Sequence, residues 1–144
     1  MLQILIAPLV AALISQLFKP LVKTNSLNWD WHAFISYSGM PSSHTAMAVS
    51  LASSVGLIQG FNSPLFFVCA TFSLFIIRDA VGLRHFVGQH GQALNYLIKD
   101  LSGNKIIDAE KYPRLFEKIG HTPAQILVGA LLGLAISLAG YYIF

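Results

Sequence analysis

The residues of this chain that could do chemistry begin with Gly39-Met40-Pro41-Ser42-Ser43-His44-Thr45-Ala46, a turn that runs straight into an apolar helix. At such a helix start, free backbone N–H groups and the positive end of the dipole converge on any anion. Phosphate is the natural guest. Ser42 and Ser43 add hydroxyl donors, and His44, in the first turn, can hold a proton near neutral pH and deliver it to a leaving oxygen. Read alone, the octapeptide is also an ordinary helix start, with Ser42 or Ser43 as N-cap, Pro41 opening the helix and His44 a polar residue at a membrane edge.

The groups that could complete a site lie far away in sequence: Lys19 after the first apolar run, Arg78, Asp79 and Arg84 at the end of the third, and His121 before the last. Ionisable residues inside an apolar run usually face a bundle interior or a water-filled cavity, so Arg78 and Asp79 are functional candidates; they could also simply pair with each other or with another helix. Arg84, at the edge, could instead snorkel to headgroups. Two histidines and two or three cations around a helix N-terminus are what phosphomonoester hydrolysis requires when no metal or other cofactor is used. One imidazole attacks phosphorus, the cations and N–H groups hold the oxygens, and the other imidazole protonates the leaving alcohol. A metal site built on Asp79, His85, His90 and Asn95 is the weaker alternative, because these residues lack a recognised ligand spacing.

The elements that must bring these residues together are membrane helices. Of 144 residues, 55% are hydrophobic and 10% charged, and the mean hydropathy is +0.64. That is too apolar for an ordinary water-soluble domain. At about 20 residues per span there is room for about four. The expected fold is an all-α membrane bundle in one domain, with spans at about 2–18, 45–59, 65–83 and 122–144 and an amphipathic connection over 84–120. Within that connection, helical pattern is expected around Ala93 to Leu101 and again around Arg114 to Ile119, with a break at Ser102-Gly103-Asn104. The Leu21 to Gly39 segment, carrying Trp29, Trp31 and Tyr37, reads as a headgroup loop. Small residues on the second span (Ala46, Ser50, Ser54) are expected to face Gly129, Gly133 and Ser137, which share one stripe of the last.

Four spans connected in this way put every charged residue and every histidine on one side, which the positive-inside rule assigns to the cytoplasm, with both termini outside. A bacterial inner membrane is the expected location. The net charge of +3 is spread among Asp and Glu beside membrane segments, so anionic lipid rather than nucleic acid is the expected partner. Single Cys69 excludes a disulfide framework within the chain. Nothing in the sequence specifies an oligomeric state.

The Pro41-Ser42-Ser43-His44 motif resembles the Pro-Ser-Gly-His motif of the type 2 phosphatidic acid phosphatase superfamily, which includes vanadium-dependent haloperoxidases. His121-Thr122-Pro123-Ala124-Gln125, continued by Gly129 and Gly133, is similar to that superfamily's last motif, in which a nucleophilic histidine precedes an aspartate by four residues. The whole chain, including Asp79 to Arg84 with Gly82, and then Gly88 and Asn95, is similar to the small proteins of its divergent branch. The resemblance implies His121 as nucleophile, His44 as proton donor, and Lys19, Ser42 and Ser43 around the phosphate; Arg84 or Arg78, from the third span, could stand in for the family's missing arginine. Its implied substrate is a phosphorylated membrane lipid: phosphatidate, phosphatidylglycerophosphate or an isoprenyl phosphate.

The chain departs from the pattern in five places. Ala12 stands where an earlier lysine belongs, Lys19-Pro20 replaces an Arg-Pro, Ser43 replaces glycine and tightens the turn, and Leu115 falls where a Ser-Arg pair is expected. At the aspartate position, Gln125 would orient His121 without stabilising its cationic form. Weakened hydrolysis is therefore expected, with a noncatalytic lipid-phosphate binder or membrane scaffold as the alternative.

Overall fold

The computed structural model describes residues 1–22, 39–117 and 119–143. The headgroup loop expected over Leu21 to Gly39, with its aromatic anchors, lies almost wholly outside the described residues. The described chain is all-α: α1 (Gln3–Phe18), a single 3-10 turn (Lys19–Leu21), α2 (Ser43–Gln59), α3 (Pro64–Val81), α4 (Leu83–Gly103), a second 3-10 turn (Ala109–Lys111) and α5 (Pro123–Ile143).

Local signals account for several helix ends. Ser42 is the N-cap of α2, its hydroxyl accepting from the Thr45 N–H at 3.4 Å and from the Thr45 hydroxyl at 2.9 Å. Helix α3 begins with Pro64 in its first turn behind Ser63, whose hydroxyl accepts from the Phe66 N–H; the proline lacks an N–H that would have no partner there. Helix α2 stops at Gly60, where φ is +90°, a conformation that glycine adopts without a Cβ clash.

The bundle is built around α2, which packs on α1, α3 and α5. Its buried residues are small: Thr45, Ala46, Ala48, Ser50, Ala52, Ser54, Val55 and Gly56. Large apolar side chains point outward instead, among them Leu9 and Leu13 on α1, Phe72 and Phe75 on α3, and Leu127 and Leu131 on α5. A water-soluble bundle has the reverse pattern. Lipid rewards it, since apolar side chains gain little by leaving acyl chains and helices associate through close packing and hydrogen bonds. Three helical stretches are long and apolar enough to cross a membrane: Gln3–Leu21, Pro64–Gly103 and Pro123–Ile143. Helix α2, with 17 residues and roughly 25 Å long, runs among them.

The tightest contact is between α2 and α5. A Cβ placed on Gly133 would collide with the Ala46 carbonyl oxygen, and one on Gly129 would lie 2.5 Å from that of Ser42. Further along, Ser50 and Ser54 meet Ser137 at 2.9 and 3.2 Å. The Ser137 hydroxyl lies 2.8 Å from the Ser50 carbonyl, to which it donates, and Gln3 of α1 donates to the Ser137 carbonyl. Ser73 of α3 reaches the Ala48 carbonyl at 2.9 Å. Each such bond contributes roughly 0.6 kcal/mol in a membrane; together they fix the rotation of the helices about α2.

The connection after α3 differs from expectation. Helix α4 starts at Leu83, ten residues before the expected pattern, and ends at the Gly103 break. Residues 113–117 form no helix. Asn95 takes both backbone groups of Leu115, donating to its carbonyl at 2.9 Å and accepting from its N–H at 3.0 Å. This side-chain pairing supplies bonds that a helical turn would otherwise have provided.

Gly133→Ala is expected to destabilise the protein by about 1–3 kcal/mol through overpacking against α2. Gly103→Ala, whose Cβ meets nothing within 4 Å, should change stability by less than about 0.5 kcal/mol. Thermal melting of both variants in detergent checks this; equal melting temperatures would contradict the close α2–α5 contact.

Candidate functional site

Four helix ends meet at one pole of the bundle. The Ser42 N–H donates to the Gln125 carbonyl at 3.2 Å, joining the start of α2 to the first turn of α5. The Ser15 hydroxyl donates to the Pro41 carbonyl at 3.3 Å, joining α1 to the same turn. The His121 N–H donates to the Ala80 carbonyl at 3.0 Å, joining the entry of α5 to the last turn of α3, where carbonyls lack helical partners.

His121 is delivered there by the non-helical segment that follows the Ala109–Lys111 turn and lies along one face of α4. Gly88 and Gly91 make room for it: a Cβ on Gly88 would lie 2.7 Å from the Glu117 carbonyl oxygen, and one on Gly91 would lie 2.6 Å from that of Phe116. One turn on, Asn95 clamps Leu115 and also donates to the Glu117 carboxylate at 2.9 Å. At the other end Gly120, with φ +95°, passes so close to α4 that a Cβ would lie 2.7 Å from the His85 nitrogen. This arrangement sets His121 beside the α3–α4 joint at Gly82.

The imidazole of His121 is 3% exposed, and neither Nδ1 nor Nε2 has a hydrogen-bond partner among the described residues. A buried polar atom without a partner costs about 1–3 kcal/mol. Burial first, and then the charges of Lys19, His44 and Arg84, push its pKa down from 6.5 to about 4. At neutral pH the ring is uncharged and a nitrogen lone pair faces a cationic surrounding. Lys19 is itself 1% exposed. Arg84 is held by Asp79, which accepts from its Nε at 2.6 Å, each side chain a little over a third exposed. His44 stands exposed in the first turn of α2, with Ser43 half-buried beside it. By helix geometry the N–H groups of Ser43 and His44 have no acceptor one turn back.

The structure thus gathers Lys19, Ser42, Ser43, His44, Arg84 and His121, with Asp79 attached through Arg84. Two expected members behave differently. Arg78 is exposed, and the cations that act on His121 are Lys19 and Arg84. Gln125 does not orient His121. Its Oε1 accepts from the Thr122 N–H at 3.0 Å, while its own N–H donates to the Thr122 hydroxyl at 3.3 Å. This is a reciprocal capping box that starts α5, and it was legible in Thr122-Pro123-Ala124-Gln125. Gly91 and Gly120 were not singled out from sequence, although Gly88, Gly91 and Asn95 share one helix face. Among the described residues no group of three or more His, Cys, Asp and Glu could hold a metal ion.

A family model described as the divergent PAP2 family matches residues 2–136. The chain is also similar to the uncharacterized membrane protein YuiD of Bacillus subtilis (strain 168). The two are 33% identical over 149 residues, which cover 97% of this chain and 94% of that protein. No solved structure matches the chain.

The depressed pKa of His121 has a consequence for stability. Between pH 6.5 and about 4 the unfolded chain binds a proton there that the folded chain does not, so stability should fall on acidification through that window. His121→Gln removes this linkage. The pH dependence of detergent unfolding should differ between wild type and variant by up to roughly 3 kcal/mol over the window; parallel curves would contradict a buried, neutral His121.

Proposed function

The chain belongs to the divergent PAP2 family, and on that premise we propose that its polar pole binds and hydrolyses a phosphomonoester carried by a membrane lipid. The observation that carries this reading is the buried His121 imidazole, unpartnered at both nitrogens among the described residues and set among Lys19, His44 and Arg84.

In the proposed reaction, a neutral His121 nitrogen forms a bond to phosphorus as the bond to the alcohol oxygen breaks. His44 gives its proton to the departing alkoxide. Water then attacks the phosphohistidine, with His44 taking the proton back, and phosphate leaves. Lys19, Arg84 and the first-turn N–H groups of α2 stabilise charge on the non-bridging oxygens. The arriving phosphate dianion offsets the cationic surrounding and raises the basicity of His121 as attack begins.

The cytoplasmic face is the proposed side for this pole, because the four-span topology read from the sequence puts all nine Lys and Arg residues on that side. A second reading, phosphate binding without turnover, is favoured by one observation: Gln125 is engaged in capping α5, so no carboxylate takes the place next to His121 that the motif assigns to one.

Turnover of a lipid monophosphate in detergent micelles separates the two readings. Wild type should release phosphate. His121→Ala should abolish release, and His44→Ala should slow it by about 10²–10⁴-fold. Gln125→Glu, which preserves a capping box, should leave the rate unchanged. Release that survives His121→Ala would overturn the nucleophile assignment. No release from wild type across phosphatidate, phosphatidylglycerophosphate and isoprenyl phosphates would leave the binding reading in its place.

A further inference from the structure

We propose that α4 is an interfacial helix, lying in the membrane surface with one apolar stripe among the lipid acyl chains, and that lipid covers this face. The inference does not depend on catalysis.

At about 100° per residue, Leu83, Phe86, Val87, Leu94, Leu97 and Leu101 fall on one arc of α4 roughly 100° wide. His90 is the one interruption. Leu83 is 69% exposed, Phe86 58% and Leu97 52%. The opposite side of α4 is polar, with Gln92 and Lys99 exposed. The face carrying Gly88, Gly91 and Asn95 is already occupied by the segment leading to His121, about 110° round from the stripe. Among the helices, α4 packs on α3, and this leaves the stripe outside the bundle.

Two observations identify the occupant. The stripe is continuous with a lipid-facing surface, because α3 presents Phe72, Phe75 and Val81 outward and the chain passes from α3 to α4 through Gly82 alone. A one-residue joint leaves no tether long enough to lift α4 away from the level at which α3 leaves the membrane. Apolar side chains of the chain that follows are also exposed, with Ile106 67% and Phe116 78%. An amphipathic helix with a charged opposite face is the element that settles at the boundary of headgroups and acyl chains. Seated there, α4 would hold Arg84 and the segment that carries His121 at headgroup depth.

The test uses the full chain with Cys69→Ala, reconstituted into vesicles of phosphatidylcholine and phosphatidylglycerol. Nitroxide labels are placed singly at Leu94→Cys and Leu97→Cys on the stripe, at Gln92→Cys and Lys99→Cys opposite, and at Phe72→Cys as a lipid-facing reference. If a stripe variant fails to incorporate, Leu83→Cys or Phe86→Cys replaces it. The stripe labels should collide severalfold more with oxygen than with a water-soluble nickel chelate, as the α3 reference does, and the Gln92 and Lys99 labels should show the reverse. Stripe labels as open to the nickel chelate as those opposite would overturn the proposal. So would stripe labels shielded from both reagents and broadened by a second spin, since a second copy of the chain would then be the occupant.

Discussion

Two helix backbones in near contact set the geometry of the whole pole. Where α2 crosses α5, Gly129 and Gly133 face the Ser42 and Ala46 carbonyls with no side chain between them. Because the backbones approach so closely, the turn before α2 can donate directly from the Ser42 N–H to the Gln125 carbonyl in the first turn of α5. The start of one helix therefore fixes the start of the other, and His44 and His121 stand at those two starts. Small residues serve here as a measure of distance: a bulkier interface would separate the two histidines along with the helices. The serine cluster around Ser137 acts on rotation rather than spacing, holding α2 and α5 so that the same faces meet along their length.

A second constraint comes from the other side of the site. His121 precedes α5 and needs an approach path, which α4 supplies by presenting Gly88 and Gly91 to the backbone of the incoming segment and Asn95 to Leu115. The path ends at Gly120, whose positive φ turns the chain under Arg84 and His85, and at the His121 bond to the Ala80 carbonyl. Burying an imidazole next to Lys19 and Arg84 is unfavourable for its cationic form, so the ring is held neutral. An anion brought to that place would relieve the repulsion between its cations and give the unpartnered ring nitrogens something to act on. The packing places the ring, and the charge around it decides what can approach.

Much of this was readable in the sequence. The hydropathy pattern placed the membrane helices, and the four-residue spacing of Gly129, Gly133 and Ser137 marked the stripe that meets α2. The clustering of Lys19, His44, Arg84 and His121 followed from topology, because each stands at the same end of its span. What sequence obscured was competition for single side chains. Gln125 stands where the family motif carries an aspartate, but its carboxamide is used by Thr122 three residues away, a local bond that a long-range motif comparison overlooks. Arg78 and Arg84 looked interchangeable, but Arg78 is exposed on α3 while Arg84, beyond the helix break at Gly82, pairs with Asp79. Arg114 to Ile119 carry a helical pattern, yet Asn95 and the glycines of α4 hold residues 114–117 in another conformation, a tertiary effect that local propensity does not record.

On the proposed reading, the packing of α2 on α5 and the clamp on α4 create one phosphate-binding site around His121. Vanadium NMR of the detergent-solubilised protein with orthovanadate, a mimic of the pentacoordinate phosphoryl group, tests it most directly. A bound vanadate signal is expected in wild type, vanishing in His121→Ala and weakening in Arg84→Gln. A bound signal that persists unchanged in His121→Ala, or the absence of any bound signal from folded wild type, would contradict it.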